Sequence, residues 1–154
     1  MKTLEMTPIL NPVNTELKPL VDELLKNSLP FAVHNRSLLL NDIPAAFGIN
    51  ADKNLVAKTL SRLLTTFITY ASDSCIRISA ERIYGNMVQI NVRDNNSTHS
   101  YAVACALQKI VPMAEKSGGH LNITNRRQKI TTISFIFPVV KEDQVQLQSF
   151  RGAA

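Results

Sequence analysis

The sequence predicts a single α+β domain, a two-layer sandwich in which helices cover one face of a mixed, mostly antiparallel sheet. Three observations support this prediction. The chain has 154 residues, 45% of them hydrophobic, which is enough for one well-filled core and too short for two ordinary domains. Two segments in its first half place apolar residues at helical spacing. Several shorter segments in its second half alternate apolar and polar residues, as paired strands do.

The domain is expected to span residues 14–139. Residues 1–13 contain Pro8 and Pro12 among small and polar residues, and we interpret them as an irregular lead-in. Residues 140–154 carry few apolar anchors, so we expect a loosely held C-terminal tail. Neither repeats nor low-complexity segments interrupt this organisation.

The first predicted helix begins at Asn14 or Thr15, both of which are suitable N-cap residues. It should end near Pro30, because a proline interrupts the helical hydrogen-bond ladder. Its apolar residues fall on one face, which predicts an amphipathic helix packed on a core: Leu17, Leu20, Val21, Leu24 and Leu25.

The clearest helical pattern begins after a short strand predicted at residues 36–40 and a loop that runs through Gly48. Asp52 can cap this second helix. The helix carries a broad apolar stripe at 3.6-residue spacing, formed by Val56, Leu60, Leu63, Leu64, Phe67, Ile68 and Ala71. The stripe predicts that one side of the helix packs on the sheet and the other faces a cleft or solvent.

The second half of the chain predicts two strand pairs. Residues 75–78 and 87–92 form a hairpin around Gly85, because both segments alternate apolar and polar residues. Residues 120–124 and 130–137 form the second pair, joined by a basic turn. Together with the strand before the second helix, they supply the strands of the predicted sheet.

Composition narrows the function classes. The net charge of +5 and the pI near 9.4 come from scattered Lys and Arg residues, with one cluster at 126–129, so nucleic-acid binding is not favoured. Cys75 and Cys105 lack the spacing of a metal site, and we expect both to be reduced thiols rather than a disulfide. The sequence contains neither a signal-peptide pattern nor an apolar run of about 18 residues. We therefore expect a cytoplasmic protein without a membrane partner.

One stretch, Val92 to Gly119, contains the most informative motif. A strand ends at Asp94, and a polar loop, a helix and the pair Gly118-Gly119 follow. This order resembles the nucleotide-binding half of histidine-kinase-type ATPases, the GHKL or Bergerat fold, whose pattern runs D-x-G-x-G, G-L-G-L and G-G. The resemblance covers residues 15–138. It implies the two-layer fold derived above and the ATP-binding domain of a sensor kinase.

The resemblance assigns an adenine-binding role to two residues. Asp94 stands where the family has the carboxylate that accepts a hydrogen bond from the adenine amino group, and Thr132 stands where a Thr supports the adenine. Asn96 and Thr98 replace the two glycines of the following loop, which adopts positive φ in the family. From the residues alone, Asp94 can equally be a turn-initiating residue after a strand, since Asp-Asn-Asn is a good turn sequence.

The residues that the family uses for metal and phosphate are absent. On the second helix, Arg62 and Thr66 replace the two asparagines of the N-box, of which the second holds Mg²⁺. A Thr hydroxyl is a shorter and weaker ligand than an amide carbonyl, so we expect Mg²⁺ to bind weakly or not at all. Arg62 is either a bidentate donor to phosphate or an ordinary solvated surface residue.

Ala104 and Ala106 replace the glycines of the family's G-L-G-L segment. Those glycines leave N–H groups at a helix N-terminus bare for phosphate oxygens, and each alanine adds a methyl group at that approach. Alanine also favours helix, so we expect this segment to be a more regular helix than in the family. Pro112 should either kink this helix or separate two short helices.

Three functions follow from these residues. The first is a degenerate histidine-kinase-type ATPase domain that acts as a non-catalytic regulatory or protein-interaction module and docks a kinase, a response regulator or its own copy. The second is an active ATP-binding domain of a histidine kinase or an anti-sigma-type serine kinase. The third, a nucleic-acid module, rests only on the basic cluster at 126–129. Under the first function no cofactor is expected, and ATP or ADP are the candidates if one binds.

Overall fold

A computed structural model describes residues 14–139 of the chain. The predicted lead-in at 1–13 and the predicted tail at 140–154 lie outside the described residues. The described residues form four helices: α1 (Leu17–His34), α2 (Lys53–Tyr70), α3 (Ser100–Leu107) and α4 (Val111–Lys116). The same residues form seven strands: β1 (Asn14–Glu16), β2 (Leu38–Asn41), β3 (Gly48–Asn50), β4 (Cys75–Ile83), β5 (Met87–Asp94), β6 (His120–Arg126) and β7 (Ile130–Pro138).

The centre of the domain is a five-stranded sheet in the order β2-β4-β5-β7-β6. The β2–β4 pair is parallel, and the three other neighbouring pairs are antiparallel. The β4–β5 pair is the predicted hairpin and extends further than the alternating pattern indicated. The prediction of a mixed, mostly antiparallel sheet in an α+β domain is therefore confirmed.

The two faces of this sheet differ in chemistry because side chains alternate along each strand. The face toward the helices is apolar and buried, and it carries Ile76, Ile78, Val88, Ile90, Val92, Ile133, Phe135 and Phe137. We call the opposite face the open face, and its side chains at the alternate positions of β4 to β7 are mostly polar. The sheet therefore forms one layer and the helices the other.

Helix α2 is the main helix of the second layer and packs against α1, α3 and α4. Its first turn is capped by Asp52, whose Oδ1 accepts hydrogen bonds from the N–H groups of Asn54 at 3.0 Å and Leu55 at 3.2 Å. The predicted apolar stripe is buried along the whole helix, from Val56 to Ile68. None of the helices within residues 14–139 is long and apolar enough to cross a membrane.

Two predictions at the N-terminal end are wrong. Asn14 and Thr15 do not cap a helix, because they pair with β3 in a separate two-stranded antiparallel sheet, and α1 begins only at Leu17. Helix α1 also continues through Pro30 to His34. A proline so close to the C-terminal end leaves only one carbonyl without its donor, and Lys26 and Pro30 are both exposed, so water reaches that carbonyl.

The segment between β5 and β6 forms two short helices rather than one. Pro112 lies in the first turn of α4, where its missing N–H would have no partner in the helix anyway. Gly118 follows with φ of +79°, and Gly119 packs against β7 so closely that a Cβ atom would overlap the carbonyl oxygen of Ile136. Pro112 therefore separates two helices, and the double glycine makes the turn into β6.

Candidate functional site

Asp94 lies at the C-terminal end of β5, and its side chain is buried with 2% of its surface exposed. Its Oδ1 atom accepts a hydrogen bond from the Ser74 hydroxyl at 2.5 Å and another from the backbone N–H of Asn96 at 3.0 Å. Its Oδ2 atom makes no hydrogen bond to residues 14–139. One carboxylate oxygen is thus used to hold the chain, and the other is left for a ligand or solvent.

The loop after Asp94 is anchored by side-chain amides. Asn96 donates through Nδ2 to the carbonyl oxygens of Ser72 and Asp73, at 3.3 Å and 3.2 Å. Asn95 Oδ1 accepts the N–H of Cys75 at 3.0 Å. Neither Asn96 nor Thr98 has positive φ, in contrast to the glycine-dependent loop that the resemblance implies. The loop therefore takes its shape largely from hydrogen bonds to residues 72–75, where the chain enters β4.

Thr132 does not lie beside Asp94. In the β5–β7 ladder Asp94 pairs with Thr131, and Thr132 pairs with Arg93. Since side chains alternate, Thr131 is on the helix-covered face with Asp94, where it is fully buried, and Thr132 is on the open face. The Thr131 hydroxyl oxygen accepts a hydrogen bond from Asn125 Nδ2 at 2.8 Å. The Thr on the face of Asp94 is therefore Thr131.

Arg62 and Thr66 lie one turn apart on α2. Arg62 is exposed, and its side chain makes no hydrogen bond or ion pair within the described residues. Thr66 is half-buried, and its hydroxyl donates to the carbonyl oxygen of Arg62 at 3.0 Å. Further along, the rings of Tyr70 and His99 are 6.2 Å apart between centroids, so the end of α2 contacts the loop that enters α3. The hydroxyl proton of Thr66 is hydrogen-bonded within the helix, so only the lone pairs of the hydroxyl oxygen remain for a ligand.

Ala104 and Ala106 lie in helix α3, and both are half-buried. The same helix contributes Val103 and Leu107 to the hydrophobic core, with 1% and 5% of their surfaces exposed, and it packs against α2. Ile110, in the turn after α3, is also buried. The segment is therefore held by apolar contacts along its length.

A salt bridge fixes the turn before β4, on which the Asp94 loop rests. Arg36 Nε and Asp73 Oδ1 are 2.7 Å apart, and the second pair, Arg36 Nη2 and Asp73 Oδ2, is 3.0 Å apart. The hydrogen bond from Arg36 lowers the pKa of Asp73, and the same hydrogen bond raises the pKa of Arg36. Both residues have positive φ, so this bidentate contact joins two turns of restricted conformation.

The described residues contain no group of three or more His, Cys, Asp or Glu side chains that could hold a metal ion. Of the predicted site residues, Asp94 and Asn96 are joined by a hydrogen bond, as are Thr66 and the Arg62 backbone. Ala104 and Ala106 share a helix that packs on α2. Sequence reasoning missed Ser74, whose contact with Asp94 spans 20 residues and leaves no local signal.

No protein-family model and no curated protein sequence matches this chain. Solved structures do match. The Acinetobacter baumannii histidine kinase AdeS is similar with a TM-score of 0.64 and 16% identity, over 82% of this chain and 67% of that chain. The catalytic domain of histidine kinase ThkA gives a TM-score of 0.65 and 15% identity, over 82% of this chain and 95% of that chain.

A third similar structure is full-length ShkA in complex with AMPPNP, with a TM-score of 0.70 and 13% identity. The similarity covers 84% of this chain and 31% of ShkA, so this chain corresponds to about a third of that protein. These matches show the fold, and the predicted histidine-kinase-type ATPase fold is confirmed.

Proposed function

Because the chain has the fold of histidine kinase ATPase domains, we propose that it is a degenerate domain of that kind, a non-catalytic regulatory or protein-interaction module in bacterial two-component-type signalling. The observation that carries the proposal is the packing of α3. Val103 and Leu107 anchor this helix in the core at the position that the resemblance assigns to a glycine-rich nucleotide lid. A segment held in this way opens only at the cost of exposing apolar surface.

The residues at the metal and phosphate positions support the same proposal. Thr66 stands where a metal-binding amide is expected, and its hydroxyl proton is bonded within α2. Ala104 and Ala106 add methyl groups where the backbone would approach phosphate. A module that binds neither metal nor phosphate acts by binding other proteins. The partners we propose are a kinase, a response regulator or a second copy of this chain. A cytoplasmic location is part of the proposal.

A thermal-shift screen tests this proposal. ATP, ADP and adenosine would be added at saturating concentration, each with and without Mg²⁺, and the melting temperature recorded. A ligand that binds only the folded state raises the melting temperature, by an amount equivalent to about 2.7 kcal/mol at a hundredfold excess over Kd. We expect no Mg²⁺-dependent increase with ATP. A clear increase that requires both ATP and Mg²⁺ would show that the metal and phosphate functions are retained.

The second candidate is an active ATP-binding domain of a histidine kinase or an anti-sigma-type serine kinase. One observation favours it: Asp94 keeps one carboxylate oxygen without a hydrogen bond to residues 14–139, as an adenine-binding carboxylate requires. The structural neighbour ShkA is in complex with AMPPNP, which is consistent with nucleotide binding by this fold. This candidate predicts transfer of the γ-phosphate to a partner protein and its loss in Asp94→Asn. No transfer to any phosphoacceptor, with no nucleotide bound at saturation, would contradict it.

A further inference from the structure

The open face of the sheet forms a shallow groove of about 650 Å³ that none of the proposed nucleotide residues except Thr132 enters. Strand pairing arranges its side chains in rows. One row runs Arg77, Arg93, Thr132 and Thr124 across four strands, and the next row contains Asn91. The groove is therefore a feature of the regular sheet, separate from the site around Asp94.

The charges in this groove are not balanced. Among the described residues, its lining contains three arginines, Arg77, Arg93 and Arg126, and one carboxylate, that of Asp42. Asp42 Oδ2 forms a salt bridge with Arg77 Nη1 at 2.8 Å. Arg93 and Arg126 form no ion pair with residues 14–139. Two guanidinium groups of the groove therefore have no ion-pair partner in the part of the chain that the structure describes.

The position of Arg93 makes this arrangement unfavourable for the isolated domain. It pairs directly with Arg77 in the β4–β5 ladder, and like charges directly opposite each other destabilise a sheet, although Asp42 offsets part of the Arg77 charge. The unfavourable placement of Arg93 is explained if its guanidinium group contacts an acceptor outside the domain. Arg93 is exposed and so is available for such a contact.

A network of polar side chains orients a further donor. Asn91 Oδ1 accepts hydrogen bonds from Gln89 Nε2 at 2.9 Å and from the Ser134 hydroxyl at 2.6 Å. This fixes the amide so that Asn91 Nδ2 is left without an acceptor among the described residues. With Asn91, Arg93 and Arg126, the groove presents donors that lack acceptors within residues 14–139. A complementary ligand must therefore carry several anionic oxygen acceptors.

An acidic polypeptide fits this face better than a nucleic acid. Proteins that bind single strands on an open sheet stack bases on aromatic side chains, and no Phe, Tyr or Trp within residues 14–139 lines this groove. Arg93 and Arg126 are separated by two strand spacings and two residues along the strand, about 12 Å between Cα atoms. Carboxylates four residues apart on an extended segment, about 13 Å, match that spacing.

We propose that the open face binds an acidic segment of a protein partner, with Arg93, Arg126 and Asn91 as the donors that recognise its carboxylates. The inference rests on the proposed function as a protein-interaction module and specifies the surface and the chemistry of the partner. Arg77, already paired with Asp42, contributes less because its guanidinium has a carboxylate of its own.

An NMR titration of ¹⁵N-labelled protein tests the inference. The probe is a short peptide that alternates Glu and Ser, and the neutral control is the same peptide with Gln in place of Glu. We expect shifts of the Asn91 side-chain amide and the Arg93 Nε–H resonances with the acidic peptide only. Arg93→Gln and Arg126→Gln should each weaken binding about two- to fivefold. Lys58→Gln removes one positive charge at an exposed position of α2, on the other layer of the domain, and should leave the affinity unchanged.

Three results would overturn the inference: open-face resonances that do not move, an equal loss of affinity in Lys58→Gln, or tighter binding of a thymidine oligonucleotide to the same face. Far-UV circular dichroism of the three variants excludes unfolding as the cause of a loss. Mg²⁺-dependent ATP binding would contradict the proposed function without moving these resonances. Failure of the inference and failure of the proposed function are therefore distinguishable.

Discussion

Replacing Asp94 by alanine should destabilise the domain, whether or not a ligand is present. The substitution removes the acceptor for the Ser74 hydroxyl and the Asn96 N–H, and hydrogen bonds to a charged group contribute about 1.5–3 kcal/mol each. Ser74 keeps the carbonyl oxygen of Asn96 as an alternative acceptor at 3.3 Å, and alanine also removes the cost of burying a carboxylate. We therefore expect a loss of about 2–4 kcal/mol in the free energy of unfolding.

Urea denaturation followed by far-UV circular dichroism measures this loss. A change of that size corresponds to a fall in melting temperature of about 4–16 °C for a chain of this length. Asp94→Asn keeps an oxygen at Oδ1 and should cost about 1 kcal/mol. Thr98→Ala, at an exposed position in the same loop, should stay within about 0.5 kcal/mol of the unsubstituted protein. An Asp94→Ala variant as stable as Thr98→Ala would refute the structural role of this carboxylate.

Three further predictions concern the packing around this site. Leu107→Ala should lower the free energy of unfolding by about 2–4 kcal/mol in urea denaturation, because Leu107 is buried in the core. Cys105→Ala, on the exposed side of α3, should leave the free energy of unfolding nearly unchanged. Equal effects of the two substitutions would contradict the packing of this helix. Gly119→Ala should reduce stability by more than about 2 kcal/mol, because its Cβ would overlap the β7 backbone; a near-neutral thermal melt would show that the contact relaxes. Arg36→Gln should lower stability near neutral pH, where the lowered pKa of Asp73 stabilises the fold. The difference should vanish as the pH falls below 3.8 and through that lowered pKa, and a pH-independent difference in urea titrations would contradict the ion pair.

Local patterns were sufficient for most of the fold. The alternating segments gave β4 to β7, and the Asp52 cap with the following stripe gave α2. Strands β1 and β3 are three residues long, too short to show a period, and their pairing depends on a contact between distant parts of the chain. The extent of α1 was underestimated because a proline near a helix end is tolerated where water reaches the freed carbonyl.

The site could be predicted only in part. Resemblance selected Thr132, although the alternation of Thr131, Ile133 and Phe135 with polar residues already assigned Thr131 to the buried face. Ser74 could not be found, because its contact with Asp94 depends on the register of the β4–β5 hairpin, which places Asp94 opposite Ile76 and which alternation alone does not fix. The polar residues of the open face are visible in the sequence as the second set of the same alternation. That Arg93 lies opposite Arg77 requires the strand register.

Isothermal titration calorimetry with ATP and Mg²⁺ would show whether Thr66, Ala104 and Ala106 still allow a metal-bound triphosphate to bind. The titration would be run on the full chain with Mg²⁺ and repeated with EDTA. We expect no micromolar binding that depends on the metal. Micromolar binding of ATP that is lost with EDTA, and lost again in Asp94→Asn, would contradict this expectation and identify a working nucleotide site.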